Sequence, residues 1–258
     1  MKSTQNICVY ALLCVGDDVM SDNEVRIRQN PVISNKECYV AFLDLLGFHE
    51  IIDEWEPSKI NEMFEGLFDA GNLLKSCRAT PLGFNSIKSA EYFNSLHENL
   101  FIYIMSDSIV LAIENSNERN LHFLLYTCDF IQKYFFEQYS VILRGGVSVG
   151  WFYGQGPIAF GEGFVNAHYL EDKKAIYPRI IIDKNLENVL EDACNDWPYR
   201  IHTESDYCSV DWLYNINVSY DEIKSICNKN IIEHDKQEQE SVRIKYQWIL
   251  NRFRHNNS

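Results

Sequence analysis

A carboxylate inside an apolar run is the feature that most limits what this chain can fold into. From Tyr39 to Phe48 the residues read Tyr-Val-Ala-Phe-Leu-Asp-Leu-Leu-Gly-Phe. Val40, Phe42, Leu43, Leu45, Leu46 and Phe48 predict a buried strand entering a tight turn at Gly47, and Asp44 stands among them. Burying an unpaired carboxylate is costly, so Asp44 is either hydrogen-bonded by a turn or holds a cation.

The pattern recurs between Leu100 and Ile113, where Ser106-Asp107-Ser108 separates two runs rich in branched and aromatic residues. That predicts a hairpin with a carboxylate at its turn. If the two strands are neighbours, Asp44 and Asp107 converge at one end of a sheet. Two hard oxygen ligands there suit Mg²⁺ or Mn²⁺ bound together with phosphates. For either aspartate alone a turn or cap carboxylate is the plainer reading. The pair, taken with the arginine strand below, favours the metal.

The chain has 258 residues and a formal net charge of -14. So acidic a balance argues against a nucleic-acid surface, while a few convergent arginines can still build a local phosphate pocket. With 46% hydrophobic and 14% aromatic residues the chain can fill a core without staples. Its eight cysteines show no CxxC spacing and no neighbouring His cluster. That predicts free thiols in a reducing cytoplasm rather than zinc or a disulfide framework. The apolar segment from Ile7 to Gly16 is far shorter than the ~20 residues of a membrane span. Asp17-Asp18 follows it where a secretory leader would place small residues. Met20 is an alternative start that would leave the first nineteen residues outside the fold.

After a polar lead-in the first strand is expected at Tyr39 to Leu45. Helical spacing follows from Glu50 to Trp55 and from Pro57 to Leu74, where Ile60, Met63, Phe64, Leu67, Phe68 and Leu74 share a face. The mixed segment with Pro81 and Gly83 leads to the Asp107 hairpin. Asn117 to Tyr139 predicts a long helix apolar over much of its circumference, packed between a sheet and another layer. Val141 to Gly150 is an alternating strand punctuated by glycines, turning at Gly154-Gln-Gly-Pro157. Ile158 to Glu171 starts extended and ends helical, and Ile176 to Asp183 is a further strand. The order is βαββαβ, an α+β, ferredoxin-like antiparallel sheet with helices on one face. Residues 1–36 are the lead-in, 37–184 the main domain, and 185–258 a C-terminal helical extension with a short strand or turn near Tyr207 to Tyr214 and a last helix from about Asp235 to Phe253.

These blocks resemble the class III nucleotide cyclases. Phe42-Leu-Asp-Leu-Leu-Gly-Phe48 is similar to their first metal-binding strand, Met105-Ser-Asp-Ser108 to their second metal carboxylate, and Leu143-Arg-Gly-Gly-Val-Ser-Val-Gly150 to the strand whose arginine meets the triphosphate. Phe160 to Glu171 fills the place of the segment with the transition-state asparagine and arginine, but aligned without a gap those positions fall on Val165 and Tyr169, with Asn166 one place out of register. The purine-selecting lysine and aspartate have no counterpart between Asn99 and Met105 or between Ile158 and Phe160. The Ala167-His-Tyr-Leu-Glu171 and Ala175-Ile-Tyr-Pro-Arg-Ile180 blocks more specifically resemble the pyrimidine cyclases of bacterial Pycsar antiphage defence.

The resemblance implies a uridylate or cytidylate cyclase, forming 3′,5′-cyclic UMP or CMP and pyrophosphate with two Mn²⁺ or Mg²⁺ ions per site. Asp44, Asp107 and the Leu45 carbonyl would hold the metals, and Arg144 the β/γ-phosphates. Arg179 would stabilise transition-state charge or else form a salt bridge to Glu171. Phe48, Asn166 and Tyr169 would lie at the nucleotide, with core packing the plainer role for Tyr169. The resemblance further implies a cytoplasmic homodimer with sites at the chain interface, neither nucleic acid nor membrane as a partner, and a separate effector that reads the cyclic nucleotide. The tilt toward UTP comes from the resemblance and from no residue here. A purine cyclase and an inactive nucleotide-binding or dimerisation module are the alternatives.

Overall fold

The computed structural model describes residues 30–66, 95–190, 197–204, 206–236 and 239–256. Met20, the helical stripe at Leu67, Phe68 and Leu74, and the segment with Pro81 and Gly83 lie outside the described residues. The fold is mixed α/β around an 8-stranded mixed sheet.

Strand β1 (Ile33–Leu45) is the centre of the sheet. It pairs antiparallel with β3 (Ser108–Glu114) on one side and with β4 (Leu143–Gln155) on the other. β2 (Phe101–Met105) extends the sheet beyond β3, and β5 (Ile158–Gly161) folds back on β4. β6 (Ile180–Ile182) joins β4 in parallel, followed by β8 (Cys208–Val210) and β7 (Ile201–Thr203). The order is β2-β3-β1-β4-β6-β8-β7, so the expected extension adds two strands to the sheet rather than only packing against it.

Both faces of β1 are covered, which is why its sequence is continuously apolar instead of alternating. Tyr39, Ala41, Leu43 and Leu45 enter the larger core with α1 (Phe48–Glu54), α2 (Pro57–Glu65) and α3 (Glu118–Tyr139). Pro57 takes the first turn of α2, where its missing N–H costs no helical bond. Cys38, Val40 and Phe42 face the other way, with Val110, Phe152 and Ala167 of α4 (Glu162–Lys174). The helices of the βαββαβ order, α1, α2 and α3, thus share one face of the sheet, and α4, which follows β5, packs on the other.

Two glycines of β4 let α4 approach. A Cβ on Gly146 would stand 2.3 Å from the Ala167 carbonyl oxygen and 2.6 Å from Leu170 Cβ. One on Gly150 would stand 2.7 Å from the Gly163 amide nitrogen. Four residues apart on a strand, the two glycines share a face, and Gly163 and Ala167 meet them with the helix's own small residues.

Helix α3 is buried over most of its surface because a second layer covers it, as its apolar circumference predicts. Trp197 and Tyr199 join its core, and Phe136 packs with Trp212 and Leu213. Beyond a 3₁₀ turn (Lys184–Leu186) and the short α5 (Glu187–Leu190), two helices close the chain: α6 (Tyr220–Lys236) and α7 (Glu240–Asn256). Ile223 and Cys227 of α6 pack with Tyr246, Ile249, Leu250 and Phe253 of α7 around Trp212 and Ile142. The expected final helix is α7; α6 was not anticipated. Cys38, Cys128, Cys208 and Cys227 are free and buried, and burial pushes the Cys38 thiol up to about 12. No helix among the described residues is long and apolar enough to cross a membrane.

Gly146→Ala is expected to destabilise the protein by about 1–3 kcal/mol through overpacking against backbone that cannot give way. Gly156→Ala meets nothing within 4 Å but sits at φ +52°, so its cost is limited to about 1 kcal/mol of left-handed strain. Chemical denaturation of the two variants checks the order; equal losses would mean that α4 is not seated on these glycines.

Candidate functional site

The sheet register assembles the site. Asp44, next to last in β1, is paired with Ser108 across β3 and with Arg144 across β4. Ser106, at φ 59°, and Asp107 form the turn between β2 and β3. The Asp107 carbonyl accepts the Leu45 N–H at 2.8 Å, which fixes that turn beside the end of β1. On the other side the Leu46 N–H donates to the Ile142 carbonyl at 2.9 Å. Asp44 and Asp107 thus converge at one end of the sheet, as the two carboxylate patterns predict.

Arg144 links the strands to α4. Its Nε donates to Asp44 Oδ2 at 3.3 Å, and its Nη2 lies 2.7 Å from Glu171 Oε1. The second contact is an ion pair without hydrogen-bond alignment, since Glu171 Oε1 finds no hydrogen-bond partner. One turn earlier on α4, His168 Nε2 lies 4.0 Å from Glu171 Oε2, and its ring meets Phe42 edge-on with centroids 4.8 Å apart.

The charges are crowded. Burial pushes the Glu171 carboxyl up to about 7, with Arg144 drawing it down and Asp44, Asp172 and Asp107 adding to the rise. Burial also raises the Asp44 carboxyl; Arg144 opposes this by charge and hydrogen bond, Asp107 adds to it, and Lys245 of α7 opposes it. Three carboxylates from β1, the β2–β3 turn and α4 therefore share one electrostatic neighbourhood with two cations.

The donor set fits a hard divalent cation. Asp44 and Asp107 offer carboxylate oxygens and Leu45 a backbone carbonyl, and a cation would relieve the burial and like-charge strain on Asp44. Among the described residues no group of three His, Cys, Asp or Glu could enclose a metal with side chains alone. Such a site suits Mg²⁺ or Mn²⁺, which takes one or two carboxylates and completes its shell with water and substrate phosphates.

The other predicted residues are elsewhere. Arg179 Nη1 donates to Glu204, its guanidinium lies 5.7 Å from the Tyr177 ring centre, and its Nε has no acceptor. Glu171 instead pairs with Arg144, so the alternative salt bridge for Arg179 is not formed. Burial would raise the Glu204 carboxyl, but Arg179, His202 and Arg252 more than offset it and hold it below its usual range. Phe48 packs edge-on against Phe64 on the α3 side, with centroids 6.1 Å apart. Tyr169 is 53% exposed and Asn166 half-buried on α4, so a pocket around them needs a surface beyond this part of the chain.

Three residues of the site escaped the sequence reading: Glu171 as the partner of Arg144, His168 and Lys245. The His168-x-x-Glu171 spacing places the first two on one helix face, a signal that was present. Lys245 had none, because only tertiary packing brings α7 to the site. The chain matches no protein-family model and no curated protein.

Because the folded Glu171 carboxyl titrates near 7 and its ordinary value is 4.5, the folded state holds a proton that the unfolded chain has released. The stability this supplies is full below about pH 4.5 and is lost as pH rises to 7. Glu171→Gln is expected to flatten that decline and to gain on the order of 1–3 kcal/mol over wild type at pH 8. Asp129, raised by burial on α3, adds a slope of the same sign in both proteins. Urea denaturation from pH 4 to 8 checks this; an unchanged slope in the variant would mean that Glu171 titrates normally.

Proposed function

We propose that the chain is a pyrimidine nucleotide cyclase of the class III superfamily, similar to the Pycsar antiphage cyclases, converting UTP or CTP to the 3′,5′-cyclic monophosphate and pyrophosphate. The observation that carries the reading is the convergence of Asp44, Asp107 and Arg144 at one end of β1, β3 and β4. The sheet order adds support: β2-β3-β1-β4, every neighbour antiparallel, is the arrangement a ferredoxin-like βαββαβ unit requires.

In this reading Asp44, Asp107 and the Leu45 carbonyl hold two Mg²⁺ or Mn²⁺ ions, which when bound supply polarisation of the 3′-hydroxyl and neutralisation of the phosphates. Arg144 turns from Asp44 to the β/γ-phosphates, where its planar fork donates two parallel hydrogen bonds. Glu171 keeps Arg144 at that end of the sheet. The ribose 3′-oxygen then bonds to the α-phosphorus as the bond to pyrophosphate breaks, its hydroxyl proton passing to water. Arg179, its charge offset by Glu204, ties β6 to β7 and stays outside the reacting set.

The outward placement of Asn166 and Tyr169 fits a homodimer in which α4 of one chain completes the base pocket of its partner. Exposed apolar side chains support this: Val165 and Tyr169 on α4, and Ile158, Phe160 and Trp151 on the β4–β5 hairpin. The enzyme works in the cytoplasm, and its product acts through a separate effector.

Purified protein incubated with Mn²⁺ and each of the four nucleoside triphosphates is expected to cyclise UTP or CTP. Asp107→Ala is expected to lower kcat by roughly 100-fold or more without moving Tm. Products from ATP or GTP alone would make it a purine cyclase. Binding without any product would make it a nucleotide-binding module.

A further inference from the structure

The C-terminal helices reach the site, and nothing in the reaction proposed above uses them. Helix α7 crosses the ends of β1 and β4: Tyr246, Ile249 and Leu250 share a core with Leu46, two residues beyond Asp44, and with Ile142, two residues before Arg144. Trp248 stacks on Tyr177, with centroids 5.7 Å apart and planes 9° from parallel. Arg252 Nη2 donates to Asp211 Oδ2 at 3.0 Å, and Trp212 Nε1 donates to the Pro178 carbonyl at 2.8 Å. The helix is fixed over this end of the sheet by aromatic, ionic and apolar contacts together.

Lys245 lies on α7 just ahead of these anchors, one residue before Tyr246 and three before Trp248. It is half-buried and makes no ion pair among the described residues. Burial lowers its ammonium pKa, the neighbouring Arg144 lowers it further, and Asp44 and Glu171 raise it. Lys245 stands on the turn of α7 whose Tyr246 and Ile249 share a core with Leu46 and Ile142, which places it at the end of the sheet that holds Asp44 and Arg144. Arg144 and Lys245 repel each other, while Asp44 and Glu171 attract both. A polyanion lying between them would draw favourably on both.

Resting on the nucleotide cyclase reading, we propose that Lys245 is a second phosphate-binding residue, supplied by α7 of the same chain, which with Arg144 forms a polyphosphate subsite. Arg144 provides the planar fork and Lys245 a point charge on a flexible stem. The C-terminal extension is then part of the site, not only a support for the core.

The test uses the full chain and inorganic tripolyphosphate with Mg²⁺, followed by calorimetry. Lys245→Met is expected to keep Tm and to weaken binding about 10- to 100-fold, and Lys245→Arg to restore most of it. With nucleotide, KM is expected to rise more than kcat falls. Should the Met variant fail to fold, Lys245→Gln reads the same contact. Wild-type binding that Lys245→Met leaves unchanged, or makes tighter, overturns the role of Lys245 and leaves the cyclase reading standing. A wild-type chain that neither binds tripolyphosphate nor turns over any nucleotide overturns both.

Discussion

Arg144 is the interaction on which the architecture of the site depends. Its side chain is only 24% exposed, and its guanidinium reaches an aspartate on β1 and a glutamate on α4. Removing both acids would leave its charge uncompensated at the edge of the core. Retaining both yields little net stability, because desolvation offsets most of the attraction. Such a group is better understood as fixing geometry: it sets α4 against the sheet at the level of Asp44. The bond to Asp44 is long at 3.3 Å, and the contact with Glu171 lacks hydrogen-bond alignment, so Arg144 has donor capacity left for an incoming anion.

The two faces of the sheet divide the work. On the α3 face the core is continuous and largely apolar, and the long helix is sealed by Trp197 and Tyr199 on its far side. On the α4 face the close approach permitted by Gly146 and Gly150 brings Glu171 and His168 to the strand ends without large side chains between helix and sheet. The glycine-rich strand does not serve flexibility here. It makes room for a helix that carries charge to the site. The α6–α7 hairpin then closes the remaining side through Leu46 and Ile142, tying the last helix to the first strand.

Much of this was legible in the sequence where chemistry and packing conflicted. Asp44 stood out because an apolar strand has no other use for a carboxylate, and Asp107 because a hairpin turn separates two β-rich runs. Their convergence was conditional on the two strands being neighbours, which the pairing of β1 with β3 supplies, and the extent of α3 was readable from its apolar circumference. Other features could not be read locally. The glycines of β4 announced a strand but not that a helix would seat on them, so the face that α4 takes was left open. β7 has three residues, too few for a periodic signal. Helix α6 is rich in Asn, Lys and Asp, with only Ile223 and Cys227 buried among its described side chains, and its weak stripe was overlooked. Arg179 was assigned by position in a motif, whereas its partner Glu204 comes directly after β7, a strand the pattern did not reveal. Lys245 reaches the site only through the packing of its neighbours.

The central claim is that the strand ends at Asp44 and Asp107 form a cation site. It is tested most directly by titrating the full-length protein with Mn²⁺ and following paramagnetic broadening of backbone amides by NMR. The account predicts that Asp44, Leu45, Asp107 and Ser108 lose intensity first, and that Asp107→Ala abolishes the effect at these positions. Broadening that begins at exposed acids such as Asp172, with the Asp44 and Asp107 amides unaffected at saturating Mn²⁺, would contradict it.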